Sequence, residues 1–367
     1  MDFARRLVPA AIRRRYAVKF GIALLLLGLS VGMIGYGATA GITTQMEDRV
    51  ETDQASAAGQ EAQSLQMWHQ QNEHTIEMIA RSDVVASDDP DAIEQQLLSW
   101  EEHLDADTFD ISYVDTSSGT ITASTNRELR DEPVGELDNV STAAYSNATQ
   151  TVPWISDAYL AETNLGHERV VLSYVQLSAA NENRAIVYTV DLQSYANRLQ
   201  GDNGTTTMVL NGDNEVMLDN RGYGDDHETL GLGYTADTGM LNAARTEGAT
   251  TRRLASSSLS LGTDAYSFDD GDYVTSSARV FGTDWVVVTH EPADQALGFV
   301  TTINQYGIYA TILGVLMIGL VGAVLGRNTA VSIDRLTDKA SQMEEGNLDV
   351  DLETKRIDNI GRLYDGF

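Results

Sequence analysis

Few residues in this chain could do bond-making chemistry, and their spacing argues against most of it. There is no cysteine, which excludes a disulfide framework, a Cys-ligated zinc and a thiol nucleophile. H-E-x-x-H and the Walker loop are missing, so the common zincin and nucleotide-binding motifs are absent. His69 and His74 lie five apart, off the i, i+4 spacing that aims two imidazoles at one metal. They are expected to pack or to face water. The Asp269-Asp270-Gly271-Asp272 run suggests calcium. With Gly271 at loop position six, however, Tyr266 and Phe268 fall at positions one and three, where an EF-hand needs oxygen ligands. A tight turn is expected instead. Neither an enzyme activity nor a cofactor or metal follows from these residues. Three sequons, at Asn139, Asn147 and Asn203, are candidate glycosylation sites.

What remains is binding, and two apolar runs fix where a bound molecule would sit. Residues 306–326 read YGIYATILGVLMIGLVGAVLG inside an uncharged run over 295–326. About 20 apolar residues span a bilayer core, and glycine is tolerated in such helices. Residues 20–46 are also uncharged, with an apolar core at 20–37. Arg5, Arg6, Arg13, Arg14, Arg15 and Lys19 precede that run, which places the N-terminus in the cytoplasm. A cleaved signal peptide is the rival reading, since Ala38-Thr39-Ala40 resembles a cleavage site. The apolar run is longer than a signal peptide needs, and a second span follows. The expected division is a cytoplasmic 1–19, a first span at 20–42, an outside segment at 43–302, a second span at 303–326 and a cytoplasmic 327–367. Arg327 marks the inner edge.

The formal net charge is −30. Between residues 41 and 302 there are 44 acids and 12 bases, all 12 of them arginine. Nucleic acid is therefore a poor partner, because phosphate binding needs basic patches. Acid excess with almost no lysine fits a proteome adapted to high salt, where a Debye length of about 3 Å at 1 M screens the repulsion.

Residues 43–83 predict one long helix, with Met46, Val50, Leu65, Met67, Trp68, Ile76, Met78 and Ile79 along it. A second helix should start after Asp88-Asp89-Pro90. From Phe109 the period becomes two. Strands are expected at 109–113, 120–124, 169–177 and 184–190, then a helix at 192–199. A second, smaller cycle follows, with strands at 206–210, 215–219, 272–281 and 285–290. Residues 291–302 should lead as helix into the second span.

Ile333, Leu336, Ala340 and Met343 then recur at helical spacing, and so do Ile357, Ile360, Leu363 and Phe367. Gly346-Asn347 should break the first helix, with Leu348, Val350 and Leu352 alternating after it. Helix, glycine connector and helix after a membrane span resemble a HAMP linker domain. That resemblance implies a core of Ile333, Leu336, Met343, Gly346, Leu348, Ile360 and Leu363. Ser332 stands where many such domains have proline, and Asn359 where most have glutamate.

The outside segment resembles a double Cache sensor domain, two PAS-like lobes stacked on a long helix. Residues 109–124, the VYTVDL run at 187–192 and GTDWVVVTHEP at 282–292 carry the resemblance. It implies an α+β fold with a distal lobe at about 84–200, a proximal lobe at about 201–290 and a small-molecule ligand in the distal lobe. Amino-acid-binding members share a Tyr, Arg, Trp-Tyr cluster on the helix after the first hairpin. Here Tyr145 matches the last Tyr, but Ala144 replaces Trp and Thr142 replaces Arg. The arginine that would pair with a ligand carboxylate is missing, so an amine or a neutral solute is favoured. Asp191 matches a downstream ligand Asp and is equally a helix N-cap. Trp154, Ser156, Asp157 and Tyr159 are expected to rim the pocket.

RLVPAAIRRRY, GYGATAG and MEEGNLDVDLETKRIDNIGRLYDGF resemble the juxtamembrane parts of haloarchaeal chemotaxis transducers. Members that bind sensory rhodopsins carry an intramembrane Asn in the second span. None occurs at 306–326, which argues against a rhodopsin partner. The resemblance implies a homodimer packed through HAMP. It also implies that a kinase or adaptor is reached only through a C-terminal module absent from these residues. A sensor histidine kinase shares the same front half, and a membrane-anchored surface protein without output is the alternative from another class.

Overall fold

The computed structural model describes residues 16–136, 140, 142–163, 166–199, 204–221, 227–259, 266 and 268–347. Two compact units divide the chain, residues 1–47 with 299–367 and residues 48–298.

In the first unit, the N-terminal part of helix α1 (Tyr16–Ala80) lies beside helix α8 (Gly298–Glu344). Both are long and apolar enough to cross a membrane. They approach through glycine. A Cβ on Gly322 would fall within the Leu24 side chain, and one on Gly326 would lie 2.8 Å from the Phe20 ring. Gly35 and Gly307 repeat the pattern against Thr311 and Thr39, at 2.5 and 2.6 Å from the hydroxyls. Where lipid removes the hydrophobic drive between helices, small residues let dispersion contacts hold them together. α8 stops at Glu344, and Gly346 takes a left-handed φ of 94°, so the helix break expected there occurs. Leu336 is buried in α8, Met343 is half-buried and Ile333 is 37% exposed. Leu348, Ile360 and Leu363 lie outside the described residues.

In the second unit, α1 buries Ala58, Ala62, Leu65, His69, Asn72, Ile76 and Ile79. The steps alternate four and three, which keeps one stripe of the helix against a flat partner. Leu65, Ile76 and Ile79 are each essentially inaccessible, worth about 1.5–3 kcal/mol apiece. Met67 and Met78, expected among the apolar positions, face outward, and His69 and Asn72 take part in the stripe instead.

The partner is a pair of antiparallel sheets. After α2 (Asp83–Ala86) and α3 (Pro90–Glu101) come β1 (Thr108–Asp115) and β2 (Thr120–Ser124). Then follow α4 (Thr142–Asn147), β3 (Trp154–Ile155), β4 (Tyr159–Glu162), β5 (Glu168–Leu177), β6 (Arg184–Asp191) and α5 (Leu192–Ala196). Asp89 caps α3 with its side chain, and Pro90 opens it, as the sequence predicts. The first sheet runs β2-β1-β6-β5-β3, with β4 also on β5. Its inner face, Ile111, Tyr113, Leu172, Tyr174, Ile186 and Tyr188, joins the α1 stripe in one core.

The second sheet holds β7 (Thr206–Leu210), β8 (Val216–Asp219), β9 (Thr250–Ala255), β10 (Asp272–Arg279) and β11 (Val286–Pro292) in the order β8-β7-β11-β10-β9. Helix α6 (Thr238–Glu247) lies between β8 and β9. Several sequence expectations need correction here. The strand expected at 272–281 ends at Arg279, and Phe281 is exposed in the following turn. Residues 291–292 are still strand, paired with 273–274. Only the four-residue α7 (Ala293–Ala296) precedes α8, so 291–302 is not one helix. The helix expected at 192–199 ends at Ala196. Neither α6 nor β9 was expected from the sequence.

The acid excess makes a direct prediction. The melting temperature of the chain should rise steeply between 0.1 and 2 M KCl as the −30 charge is screened. An unchanged value would contradict a fold limited by self-repulsion.

Candidate functional site

Strand alternation sends every second residue of the first sheet away from α1. That outer face has two halves. One is apolar: Val114, Ile121, Val175, Ala185 and Val187 pack under Ala144 of α4 and Ala148 just after it. The other is polar although buried. Ser112 and Ser124 share a hydrogen bond of 2.9 Å across β1 and β2. The Ser173 hydroxyl lies 3.0 Å from that of Thr189 and 2.7 Å from that of Tyr159. The Ser173 amide donates to the Ser156 hydroxyl at 2.9 Å. Burying this many polar groups is tolerable because they satisfy one another.

A carboxyl group in this polar half is not fully satisfied. Asp110, 6% exposed on β1, has an Oδ1 with no hydrogen-bond partner among the described residues. Burial pushes its carboxyl up to about 7, opposed by a hydrogen bond from Thr189 and aided by the charge of Glu101. Asp110 lines a cavity of about 200 Å³ with Glu101, Thr108, Phe109, Thr125, Asn126, Glu162, Thr163 and Asp191. The Glu101 carboxyl is also raised by burial. Among the described residues, four carboxylates and no basic side chain line the space. Among the described residues, no group of acids and histidines is arranged to hold a metal ion.

The structure scatters the six residues singled out from sequence. Asp191 alone of them lines the acidic cavity. It is also the N-cap of α5, where Oδ1 accepts from the Gln193 and Ser194 amides at 2.8 and 3.3 Å. Tyr145 and Trp154 pack on the apolar half. The Tyr145 hydroxyl is buried without a partner among the described residues, and burial raises its pKa. Ser156 and Tyr159 meet at Ser173. Asp157 instead accepts from Asn211 at 3.3 Å and lines a polar cleft of about 620 Å³ with Asp284 and Trp285 of the second sheet's turns. Asn147, of the three sequons, is exposed. Asn139 and Asn203 lie outside the described residues.

Sequence reasoning missed Asp110, Glu101, Thr125 and Glu162. The signal at Asp110 was an acid inside the apolar strand TFDISYVD. A register shift between Thr108 and Asp110 in the β1/β6 pairing hid it, because it breaks the Phe109–Ile111 alternation and puts Phe109 on the cavity.

The inner side of β5 faces α1. Tyr174, next to Ser173, meets Nδ1 of His69 at 2.9 Å. Burial lowers the His69 pKa to about 4, so the imidazole is neutral at pH 7. Trp285 packs edge-on against it, with ring centroids 5.2 Å apart.

No family model matches the chain. Over 370 residues, 98% of its length, it is 27% identical to Transducer protein Htr6 of Halobacterium salinarum. It is also 27% identical over 370 residues, 99% of its length, to Transducer protein BasT of the same organism. It spans 43% of the length of each of these relatives. Among solved structures it is similar to the ligand-binding domain of the Pseudomonas fluorescens chemoreceptor CtaA in complex with L-isoleucine. That match has a TM-score of 0.49 and 12% identity, and covers 70% of this chain and 98% of the other.

Proposed function

We propose that these residues form the sensory front of a transmembrane chemotaxis transducer. The observation that carries this is similarity to transducer proteins over 98–99% of the chain. Two helices fit to cross a membrane support anchorage, and the six positive charges before residue 20 support a cytoplasmic N-terminus. In this reading, residues 43–302 are a double Cache domain outside the cell, and a small solute binds on the outer face of the first sheet. Residues from 327 onward form a HAMP segment that pairs in a homodimer and relays to a kinase-control module.

β5 supports a route for the signal. Ser173 belongs to the polar outer face, and its neighbour Tyr174 bonds His69 on α1, the helix that carries the first apolar run. A solute that favours one setting of β5 would bias α1, and through it the balance between two HAMP packings.

Two experiments test the proposal. Because the chain has no cysteine, single substitutions report topology cleanly. A membrane-impermeant maleimide should label Asn147→Cys in intact cells and Asp338→Cys only after permeabilisation. The reverse pattern would sink the topology. In a chimera that adds a chemotaxis signalling hairpin in register, Gly346→Val should lock kinase output, because φ is 94° there. Asp338→Asn should change output little. Normal solute-dependent output from Gly346→Val would make the tail something other than a HAMP coupler.

A further inference from the structure

We infer that the solute held on the outer face of the first sheet is a small organic ammonium ion that carries no carboxylate, anchored by Asp110. This rests on the reading of that face as the solute site and names the class it takes.

The first observation is the unmet bond. Asp110 is more than nine-tenths buried, lines the cavity, and has an Oδ1 without a partner among the described residues. A native fold retains an unsatisfied buried carboxylate only where something repays it. A cationic N–H donor repays it with a charge-assisted hydrogen bond.

The second observation is the sign of the surroundings. Glu101 of α3, Glu162 of β4 and Asp191 of β6 face the same space. A ligand carboxylate would meet like charge, with no base among the described lining residues to receive it. The arginines nearby in the sequence are already engaged. Arg169 donates to Gln193, Arg198 to Asp107, and Arg130 to Asp91 and Glu94.

The third is size and lining. About 200 Å³ is below the 300–1,000 Å³ range of pockets for drug-sized ligands, so the guest is small. Phe109 and Thr125 add aromatic and methyl surface beside the acids. That suits an alkylammonium better than a hydrated metal ion, and the described residues offer no metal-grade cluster.

The test uses the whole chain in lipid nanodiscs at 2 M NaCl and pH 8, with two probes that differ by one group. Ethylammonium is L-alanine without its carboxylate. Calorimetry should show ethylammonium binding at least about tenfold tighter than L-alanine. Asp110→Asn should weaken ethylammonium at least about tenfold, and Glu162→Gln should weaken it less. Binding should also weaken about tenfold from pH 8 to pH 6 as protons compete with the ligand for Asp110, which shares the space with Glu101, Glu162 and Asp191.

L-alanine binding as tightly as ethylammonium would overturn the proposal. So would ethylammonium affinity unchanged in Asp110→Asn, or stabilisation by KCl or CaCl₂ with none by ethylammonium. A polyol or an organic acid that binds and is lost in Asp110→Asn would overturn the ammonium class and leave the sensor reading standing. If amines, amino acids, polyols and organic acids all fail to bind, the sensor reading falls with it.

Discussion

Replacing Asp110 with asparagine is expected to stabilise the solute-free chain at pH 8 by on the order of 4 kcal/mol. The carboxyl rises from its ordinary 3.8 to about 7 on folding, and each pKa unit is about 1.4 kcal/mol. The sign follows from proton linkage. Below about pH 4 the acid is protonated folded and unfolded, and costs nothing. Between 4 and 7 the folded state holds a proton that the unfolded state has released, so stability falls as pH rises. Above 7 the full cost of a buried charge is present. Asparagine keeps the shape and never ionises. Burial of His69 and His290, whose pKa values drop to about 4 and about 3, acts with the opposite sign. Those contributions cancel when variant and parent are compared at each pH. At about 2–4 °C per kcal/mol for a domain of this size, the melting temperature at pH 8 should rise on the order of 10 °C, with no difference near pH 4. Equal melting temperatures at pH 8 would mean that Asp110 already has a partner.

The second large effect is expected in the helix pair. Gly322→Leu should separate α1 from α8, because even a Cβ at that position occupies the Leu24 side chain. Gly326 on the next turn, against Phe20, leaves no room to slide. Gly314 has nothing within 4 Å of its Cβ position, so Gly314→Ala serves as the tolerated control. The reporter is a cysteine pair at Thr39 and Gly307, whose Cβ positions lie 3.3 Å apart, close to the spacing a disulfide needs. Thr39→Cys/Gly307→Cys should oxidise readily in membranes. Adding Gly322→Leu should slow that oxidation at least about tenfold. Equal rates would mean that the helices do not depend on close glycine contacts.

What could be read from the sequence followed the clarity of its periods. β7 at Thr206–Leu210 and β2 at Thr120–Ser124 fall where alternation between turn residues puts them. The helix from Pro90 was marked by Asp89 and the proline, and the break near Gly346 by glycine and asparagine. β9 was invisible because its residues, TTRRLA, are half or fully exposed and have no apolar alternation to detect. α6 did leave a signal, since Asp237 caps its first turn and Gly248 follows its last. The turn-rich sequence around it masks that signal.

The candidate site was less legible. A pocket on a sheet is assembled by pleat and register, and a one-residue shift at Phe109 moves which side chains share a face. Asp157, placed with Ser156 from sequence, turns to Asn211 instead. Asp191 could be read both as cap and as site residue, and the structure gives it both positions.

A solute bound to the outer face of the first sheet should move α8 against α1. Oxidation of the Thr39→Cys/Gly307→Cys pair should be timed in nanodiscs with and without a solute that raises the melting temperature of the same preparation. Such a solute should change the cross-linking rate severalfold, and Asp110→Asn should abolish the change. A solute that stabilises the chain and leaves the cross-linking rate unchanged would contradict that coupling.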